Sequence, residues 1–423
     1  MKVAIIGNGG REHALGYAIA KSPQCSKLFF LPGNGGTHTL GENVDIDLKD
    51  HNKVAAFVII EQIDFVVIGP EIPIVDGLGD HLRNHAVVVF APTAKAARIE
   101  SEKSYSKRIM RKYGIPTAAW QKFTVDEYDV AVEYLASGKF PVVLKADGLA
   151  AGKGVVIASN YIEAENALRD MMLDKIFGAA GSTVVIEEFM EGEEASIFAI
   201  TDGKNFVCLP AAQDHKRIGD GDSGPNTGGM GAYCPARVVT PEIEKRVNEE
   251  VIIPFLAALR AESNPFTGCL YVGIMITRTG PKVVEFNCRF GDPETQAVLP
   301  VIEGDFLGLL YSAASGEIET GKIWYENAAA VSVVAASEGY PGKYEKGYEI
   351  SGLKGVKGNS FVFHAGTEFK ENKTLTTGGR VLAVTSVDST GNLRSAIDSA
   401  YTELKKISFA NIYYRKDIGH KAL

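Results

Sequence analysis

The first 71 residues contain three short apolar segments, and each of them ends in a turn that contains glycine. The segments are residues 3–6, 28–31 and 65–68, and the turns are residues 7–10, 33–37 and 69–71. The first turn leads into a helical pattern, so free backbone N–H groups suited to a phosphate follow the first strand. This order predicts an open parallel sheet of the Rossmann-like type, which binds ligands at the carboxyl ends of its strands.

A dinucleotide site is the obvious alternative for the first turn, but the sequence does not favour it. Glu12 occupies the position of the third glycine in the dinucleotide fingerprint. The second strand is followed by Pro32, Gly33 and Asn34 rather than by an acidic residue that could bind a ribose. We expect His13 to lie on the surface of the first helix. A nicotinamide dinucleotide is therefore a weak candidate.

The totals describe an ordinary globular protein. A length of 423 residues predicts about two to four domains, and 45% hydrophobic with 23% charged residues is typical of a soluble chain. The net charge of −8 argues against a general affinity for nucleic acid, and five scattered cysteines favour reduced thiols. The chain begins with a strand and has no apolar run of membrane-spanning length. We therefore expect no secretory segment and a cytoplasmic location.

Residues 93–113 have the pattern of a single helix, with Thr93 as the N-cap. Lys103 lies in the middle of this helix, near Glu100 and Glu102. Its surroundings alone predict a solvated face with charge pairing.

A glycine-rich loop, residues 146–154, joins a strand that ends in Lys145 to another strand. It is not a Walker A loop, because Gly148 and Gly152 are too close together and Gly154 occupies the place of the required Ser or Thr. A hydrophilic hairpin does not explain so many small side chains and two lysines. The loop therefore predicts a flap that folds over phosphates.

Residues 183–189 predict a strand that carries Glu187 and Glu188 at its end, and Glu194 opens the next strand. Such a crossing offers backbone groups to the edge of a base, and Glu194 could bind ribose hydroxyls. A charged hairpin is the alternative, and composition does not exclude it. The glycine-rich residues 219–231 predict a long loop without regular structure, which is usually functional or disordered.

Residues 281–284 predict a strand that places Glu285 and Asn287 on one face and Val284 and Phe286 in the core. A carboxylate and an amide oxygen on one face can bind Mg²⁺. The turn that follows carries three charged residues, Arg289, Asp292 and Glu294. By itself the segment fits a solvated strand end equally well. Combined with the glycine loops and the lysine beside the flap, it predicts an Mg²⁺-ATP enzyme with a second, phosphate-bearing substrate at the amino-terminal domain.

Beyond residue 305 the sequence predicts a small α+β cap whose role is more architectural than catalytic. Residues 376–380 are expected to form a tight hairpin rather than a ligand contact. The whole chain is thus predicted to be an α/β and α+β multidomain protein. The predicted parts are an amino-terminal substrate domain at residues 1–102, a central domain at 103–325 with a lid at about 117–190, and a carboxy-terminal domain at 326–423.

Specific motifs along the whole chain resemble those of one family and occur in its order. They are residues 7–15, 32–34, 69–71, 92–97, 145–154, 213–217, 224–233 and 285–296, the last of which contains Arg-Phe-Gly-Asp-Pro-Glu at 289–294. In these motifs the sequence resembles the ATP-grasp ligases, and among them the phosphoribosylamine–glycine ligases (glycinamide ribonucleotide synthetases) of purine biosynthesis. The resemblance implies that the central domain has the two-part ATP-grasp fold.

The resemblance implies a reaction in two steps that uses ATP, glycine, 5-phosphoribosylamine and Mg²⁺ or Mn²⁺. The glycine carboxylate takes the γ-phosphate of ATP to give glycyl phosphate and ADP. The amine of phosphoribosylamine then attacks the acyl carbon and releases phosphate. No covalent enzyme intermediate is needed, so Cys288 is expected to be a packed residue. The implied partners are small molecules, without nucleic acid or membrane, and a monomer is expected, with a homodimer as the alternative.

The resemblance also implies roles for individual residues. The metal ligands would be Glu285 and Asn287, and the catalytic residues would be Lys145, Asp214 and Arg289. The ATP contacts would be Lys103, Lys145, Asp147, Gly148, Gly152, Gly154, Glu187, Glu188, Phe189 and Glu194. The contacts to glycine, its acyl phosphate or phosphoribosylamine would be Gly9, Gly10, Asn34, Glu71, Asp214, Arg289 and Asp292.

Two other classes of protein stay open at this point. One is a different ATP-grasp enzyme of the same pathway, such as a carboxylase or a formate-using transferase. A carboxylase would need bicarbonate and would not form ADP with glycine. The other is a Rossmann dehydrogenase or a nucleotide-binding protein without turnover. A dehydrogenase would need an acidic residue after the second strand, which residues 32–34 do not supply.

Overall fold

The structure, a computed structural model, describes residues 1–150, 154–325 and 327–423. The amino-terminal region contains β1 (Lys2–Gly7), α1 (Gly10–Ala20), β2 (Lys27–Pro32), β3 (Glu42–Asn43), α2 (His51–Ile60), β4 (Phe65–Ile68), α3 (Glu71–Val75), α4 (Leu78–Arg83), β5 (Val88–Phe90), α5 (Arg98–Ser101) and α6 (Lys103–Tyr113). The five strands form one parallel sheet in the order β3-β2-β1-β4-β5. This confirms the predicted open parallel sheet.

Both faces of this sheet are buried, as its uninterrupted apolar strands require. Ile6 and Phe29 belong to one hydrophobic core, and Ile5 and Phe30 belong to a second core on the opposite face. All four side chains are fully buried. Because β1, β2 and β4 are parallel, the glycine turns that follow them share one edge of the sheet.

The predicted single helix at residues 93–113 is wrong, because Glu102 interrupts it with an extended backbone (φ −134°, ψ 92°). Thr93 caps only a turn, in which its Oγ1 accepts from Ala96 N at 3.1 Å. Just before the interruption Glu100 binds Arg289, so a long-range contact competes here with local helix propensity. As a result Lys103 begins a new helix, α6, instead of lying in the middle of a solvated one.

A separate small unit follows, with β6 (Trp120–Thr124), α7 (Tyr128–Ala136), β7 (Val142–Ala146), β8 (Val155–Ala158), α8 (Tyr161–Met172) and β9 (Thr183–Glu188). Its strands form an antiparallel sheet in the order β6-β9-β7-β8. The two helices pack on this sheet around a hydrophobic core of its own, which includes Leu144, Leu168 and Met171. This unit, named the lid after the prediction, has a hydrophobic core of its own and carries both ends of the flap.

The next region contains β10 (Glu193–Thr201), β11 (Phe206–Cys208), β12 (Gln213–Asp214), β13 (Arg217–Gly219), β14 (Ser223–Asn226), β15 (Gly231–Cys234), α9 (Pro241–Val247), α10 (Ile253–Ala261), β16 (Gly268–Thr277), β17 (Gly280–Asn287), α11 (Glu294–Val298), β18 (Glu303–Gly304), α12 (Phe306–Ala314) and β19 (Ile323–Trp324). Four strands form an antiparallel sheet in the order β11-β10-β16-β17. The predicted long loop at residues 219–231 is wrong in part, because β13 and β14 pair there as a short hairpin.

The carboxy-terminal region contains β20 (Ala329–Ser337), β21 (Ser360–His364), β22 (Thr367–Lys370), β23 (Lys373–Thr376), β24 (Arg380–Asp388), α13 (Leu393–Leu404) and β25 (Ile412–Tyr413). The main sheet here has the order β12-β15-β20-β24-β21, with β25 also paired to β20. Strands β12 and β15 come from the central region, so the cap is continuous with it. Among the described residues no helix is long and apolar enough to cross a membrane.

Candidate active site

Strand β17 carries Glu285 and Asn287 and contains a β-bulge. Val283 lies opposite Ile274, whereas Glu285 lies opposite Gly273, so Val284 is the extra residue. The expected placement of Val284 in the core is therefore wrong, and Val283 is the fully buried residue. Phe286 is buried as predicted and stacks on Phe255 with ring centroids 3.8 Å apart. The bulge shifts the side-chain alternation just before Glu285.

The side chains of Glu285 and Asn287 form no hydrogen bond to any residue of the described ranges, so both oxygen donors are available to a ligand. Burial raises the pKa of Glu285, but the positive charges of nearby lysines outweigh it and hold that pKa below its usual value. An ionised carboxylate beside an amide oxygen fits a hard divalent cation. No cluster of three His, Cys, Asp or Glu residues in the described parts of the chain could hold a metal. Phosphate oxygens and water would have to complete the coordination of a cation here.

Lys103 lies at the base of the flap (residues 146–154). Its Nζ donates to the main-chain oxygens of Ala146 at 2.9 Å and Gly148 at 2.8 Å. At the same place Ser104 N donates to Asp147 Oδ1 at 2.8 Å. Burial lowers the pKa of Lys103, while the Glu285 carboxylate acts in the opposite direction. The structure thus brings Lys103, Asp147 and Gly148 together, and the solvated face predicted from composition is wrong.

Lys145 is the second-last residue of β7, and its side chain reaches β17 and β9. Its Nζ donates to Val284 O at 3.1 Å and lies 3.1 Å from Glu187 Oε2. The first and last residues of the flap are joined by a hydrogen bond, in which Ala146 N donates to Gly154 O at 2.8 Å. Gly152 lies outside the described residues. Lys145 therefore lies between the lid sheet and the strand of Glu285.

The chain crosses from the lid to the central sheet between β9 and β10. Glu188 accepts from Ala119 N at 3.1 Å and lies 3.4 Å from Lys282 Nζ, which is not one of the lysines that lower the pKa of Glu285. Phe189 is 38% exposed. Glu194 forms an ion pair with Lys216. Of the acids at the crossing, Glu187 and Glu194 are thus the two that contact lysines around Glu285.

Asp214 lies on the short strand β12 among charged side chains. Burial raises its pKa to about 7, with Lys216 acting to lower it and Glu294 and Glu194 acting to raise it further. Glu294 itself is buried and accepts from Ser196 Oγ at 3.0 Å. Asp214 can therefore exchange a proton near neutral pH.

Arg289 belongs to the signature turn, residues 289–294, and is bound by two carboxylates of the amino-terminal region. Its Nη2 donates to Glu100 Oε1 at 2.7 Å, and its Nε lies 3.3 Å from Glu71 Oε2. Despite burial, these carboxylates raise the pKa of Arg289. Burial raises the pKa of Glu71, but the positive charges of Arg289 and Arg11 lower it, and the pKa lies below its usual value. The turn is thus anchored to the sheet edge of the glycine turns.

Asp292 in the same turn contacts three parts of the chain. Its Oδ2 accepts from Arg11 N at 3.4 Å, its Oδ1 accepts from Gln296 Nε2 at 2.8 Å, and Arg380 Nη1 lies 3.3 Å from Oδ1. Burial opposes these contacts, but Arg380 and Arg11 hold the pKa of Asp292 below its usual value. The signature turn thus meets both terminal regions at one carboxylate.

The first glycine turn packs against this carboxylate and against Glu12. A Cβ added to Gly9 would come within 2.8 Å of Glu12 Oε2 and 3.2 Å of Asp292 Oδ2. A Cβ added to Gly10 would come within 2.4 Å of Gln296 Nε2. Glu12 Oε2 accepts from Gly9 N at 2.6 Å. A protein carboxylate therefore occupies the N–H group that a dinucleotide phosphate would use.

Asn34 and His13 lie inside the protein, between the glycine turns and the carboxy-terminal region. The Asn34 amide donates to Asn8 O and to His364 O, and its Oδ1 accepts from Gly36 N. Asn34 therefore holds the second glycine turn in place, with its amide already in use. The expected surface position of His13 is wrong: it is 6% exposed, and its Nδ1 accepts from His364 N at 2.9 Å.

Three models of one family match the chain in succession. The phosphoribosylglycinamide synthetase N domain matches residues 1–100, its ATP-grasp (A) domain matches residues 101–295, and its C domain matches residues 330–421. The chain belongs to the phosphoribosylglycinamide synthetase family. The predicted family and the predicted class of enzyme, an ATP-grasp ligase of purine biosynthesis, are confirmed.

Relatives of this synthetase have similar sequences over the whole chain. The phosphoribosylamine–glycine ligase of Rhizobium meliloti is 47% identical over 100% of this chain and 99% of that protein. That of Caldanaerobacter subterraneus is 44% identical over 99% of each. The trifunctional purine biosynthetic protein adenosine-3 of Gallus gallus is 47% identical, and the chain spans 42% of its length.

Solved structures show the same fold. A crystal structure of phosphoribosylamine–glycine ligase from Thermotoga maritima, 35% identical, covers 99% of this chain and 100% of that chain with a TM-score of 0.85. The biotin carboxylase domain of Hydrogenobacter thermophilus 2-oxoglutarate carboxylase, 16% identical, covers 98% of this chain and 91% of that chain with a TM-score of 0.73. The second similarity concerns the fold alone, and both confirm the ATP-grasp architecture.

Four charged residues near this candidate site were not predicted as site residues from the sequence: Glu12, Glu100, Lys107 and Arg380. Lys107 is 2% exposed and contacts Glu187, which is 80 residues away. Arg380 contacts Gly228, which is 152 residues away. Lys107 and Arg380 act on partners in other elements, so no local pattern marks them. The departure of Glu12 from the dinucleotide fingerprint was the one usable signal.

Proposed function

We propose that this synthetase ligates glycine to 5-phosphoribosylamine at the expense of ATP, giving glycinamide ribonucleotide, ADP and phosphate. This is the second step of de novo purine (IMP) biosynthesis. Bacterial relatives that are named phosphoribosylamine–glycine ligase and are 44% and 47% identical support these substrates. We also propose that the protein works in the cytoplasm as a monomer, with a homodimer as the alternative, on small molecules alone.

The observation that carries the proposal is the position of Glu285. Its carboxylate has a lowered pKa among Lys216, Lys145 and Lys103, and the signature turn with Arg289 begins only a few residues later. A metal-nucleotide and a small carboxylate substrate would meet at such a point. Phosphoryl transfer needs mainly positioning and neutralisation of charge, and this arrangement supplies both.

In the first step the glycine carboxylate attacks the γ-phosphorus of ATP, the bond to ADP breaks, and glycyl phosphate forms. Lys103, Lys145 and the flap neutralise the phosphates, while the main chain of residues 187–189 and the carboxylate of Glu194 hold adenosine. Arg289, with Asp214 and Asp292, holds glycine and its acyl phosphate. A cation, Mg²⁺ or Mn²⁺, bound by Glu285 and Asn287 would supply further charge neutralisation to the phosphates.

In the second step the amine of phosphoribosylamine attacks the acyl carbon, loses a proton, and phosphate leaves. The glycine turns that contain Gly9, Gly10 and Asn34, together with Glu71, hold phosphoribosylamine at the edge of the parallel sheet. The contacts of Arg289 with Glu71 and of Asp292 with Arg11 N support this arrangement, because they join the two substrate regions.

The test is the release of ADP from Mg²⁺-ATP in the presence of phosphoribosylamine and one candidate acid at a time. Glycine is expected to support ADP release and formation of glycinamide ribonucleotide, whereas bicarbonate and formate are not. ADP release that does not depend on glycine would refute the ligase. ADP release that depends on bicarbonate would instead favour a carboxylase.

A further inference from the structure

A buried cluster of three charged side chains lies behind Lys145. Glu187 Oε2 is 2.8 Å from Lys107 Nζ and 3.1 Å from Lys145 Nζ. The exposed fractions of the three side chains are only 3% for Lys107, 6% for Lys145 and 2% for Glu187. They come from α6, β7 and β9, so one carboxylate oxygen joins three elements.

The same cluster holds the bulge that precedes Glu285. Lys107 Nζ donates to Thr117 Oγ1 at 2.8 Å, and Thr117 Oγ1 donates to Val283 O at 2.7 Å. Lys145 Nζ donates to the next carbonyl, Val284 O, at 3.1 Å. Both carbonyls of the bulge are thus bound from this cluster. Glu285 directly follows these two bound carbonyls.

The charge of the cluster depends on Lys107. Two ammonium groups and one carboxylate leave one net positive charge, whereas Lys145 and Glu187 alone would be neutral. Burial lowers the pKa of Lys107 to about 8, with Glu187 and Glu188 acting to raise it and Lys145 acting to lower it. Because pH 7 is below this pKa, the Lys107 amine is mostly protonated at pH 7. Glu187 Oε1 has no hydrogen-bond partner among the described residues.

We propose that Lys107 is a positioning residue for the nucleotide, which neutralises Glu187 so that the charge of Lys145 remains available to the phosphates. It acts through Lys145 and through the bulge before Glu285, without touching the nucleotide. The inference rests on the proposed use of ATP. Lys107 shares the Glu187 carboxylate with Lys145, and it would be a further residue that determines the affinity for the nucleotide.

The test is the binding of Mg²⁺-ADP by calorimetry to the full chain and three variants. Lys107→Met is expected to weaken ADP binding about tenfold or more, because a unit charge near a diphosphate is removed in a poorly solvated site. Lys107→Met/Glu187→Gln again carries one net positive charge, so it is expected to recover most of that affinity. Lys112→Met, an exposed lysine on the same helix, is the matched control and is expected to bind ADP as the wild type does.

The outcomes separate the two proposals. A wild-type chain that does not bind Mg²⁺-ADP refutes the proposed function and the inference with it. Unchanged affinity in Lys107→Met, with normal wild-type binding, refutes only the inference. A double variant that binds no better than Lys107→Met would show that Lys107 acts through packing rather than through charge, and would also refute it. Recovery in the double variant supports the charge argument, because a purely structural defect would not be repaired by a second substitution.

Discussion

Arg380 and Asp292 join the carboxy-terminal region to the signature turn, although 88 residues separate them in the chain. Arg380 Nη1 donates to the main-chain oxygen of Asp292 at 2.7 Å and lies 3.3 Å from its Oδ1. The same nitrogen donates to Gly228 O at 2.7 Å. One guanidinium group therefore fixes the signature turn relative to the glycine-rich segment that precedes β15.

Replacement of this guanidinium is expected to lower turnover. In Arg380→Met the signature turn loses both contacts, and a displacement of about 1 Å at Asp292 would lower kcat by about 10- to 100-fold. Steady-state ADP release with saturating glycine measures the effect. Arg394→Met, an exposed arginine on α13, is the control and should keep wild-type kcat. A normal kcat in Arg380→Met would contradict a positioning role for the cap.

Glu285→Gln removes one charge at nearly constant volume. Because the carboxylate is proposed to bind the divalent cation, we expect turnover at saturating ATP to fall by about 100-fold or more. The Mg²⁺ concentration needed for half-maximal turnover should rise as well. Magnesium titrations of turnover measure both effects, with Glu317→Gln, an exposed glutamate, as the control. Wild-type magnesium dependence in Glu285→Gln would refute the metal assignment.

The raised pKa of Asp214 predicts a cost in stability that depends on pH. Burial raises this pKa from 3.8 to about 7, so the folded protein binds the proton more tightly than the unfolded chain does. Stability from this group is therefore lost as pH rises from about 4 to about 7, and the loss is complete above pH 7. Asp214→Asn is expected to unfold at a higher temperature than wild type at pH 8 and at a similar temperature at pH 4.

Thermal unfolding at the two pH values measures this difference, and Asp398→Asn on the exposed face of α13 is the control. The same Asp214→Asn variant should lose glycine-dependent turnover, because the carboxylate is a proposed substrate contact. A variant that is less stable than wild type at pH 8 would show that Asp214 is paired favourably in the folded state, contrary to the direction of its pKa.

Local sequence patterns were sufficient for the parallel sheet and for the position of Glu285 and Asn287 on one strand. The strands of the sheet are short apolar runs that end in glycine turns, and both signals lie within a few residues of each other. Glu285 and Asn287 share a face because they are two residues apart on one strand, beyond the bulge. The bulge at Val284 was not predictable, because it is a property of the register between β17 and β16.

Distant partners explain the other errors. The helix interruption at Glu102 coincides with a buried Glu100 that binds Arg289, which is 189 residues away. His13 is buried because β21 packs on α1, and nothing near His13 in the sequence records that contact. Lys103 looks solvated among charged neighbours, yet its ammonium group binds two carbonyls of the flap. In each case the deciding contact is long-range.

The buried histidines between the terminal regions predict a loss of stability in acid. Burial lowers the pKa of His13 to about 3 and that of His364 to about 4, with neighbouring histidines acting in the same direction. Because the unfolded groups titrate near 6.5, stability falls as pH drops below 6.5, by about 1.4 kcal/mol per pH unit for each histidine. His13→Gln should therefore lose less stability between pH 6.5 and pH 4.5 than wild type does, as urea unfolding at several pH values measures. His85→Gln, an exposed histidine, should keep the wild-type slope; an unchanged slope in His13→Gln would mean that His13 does not titrate on unfolding.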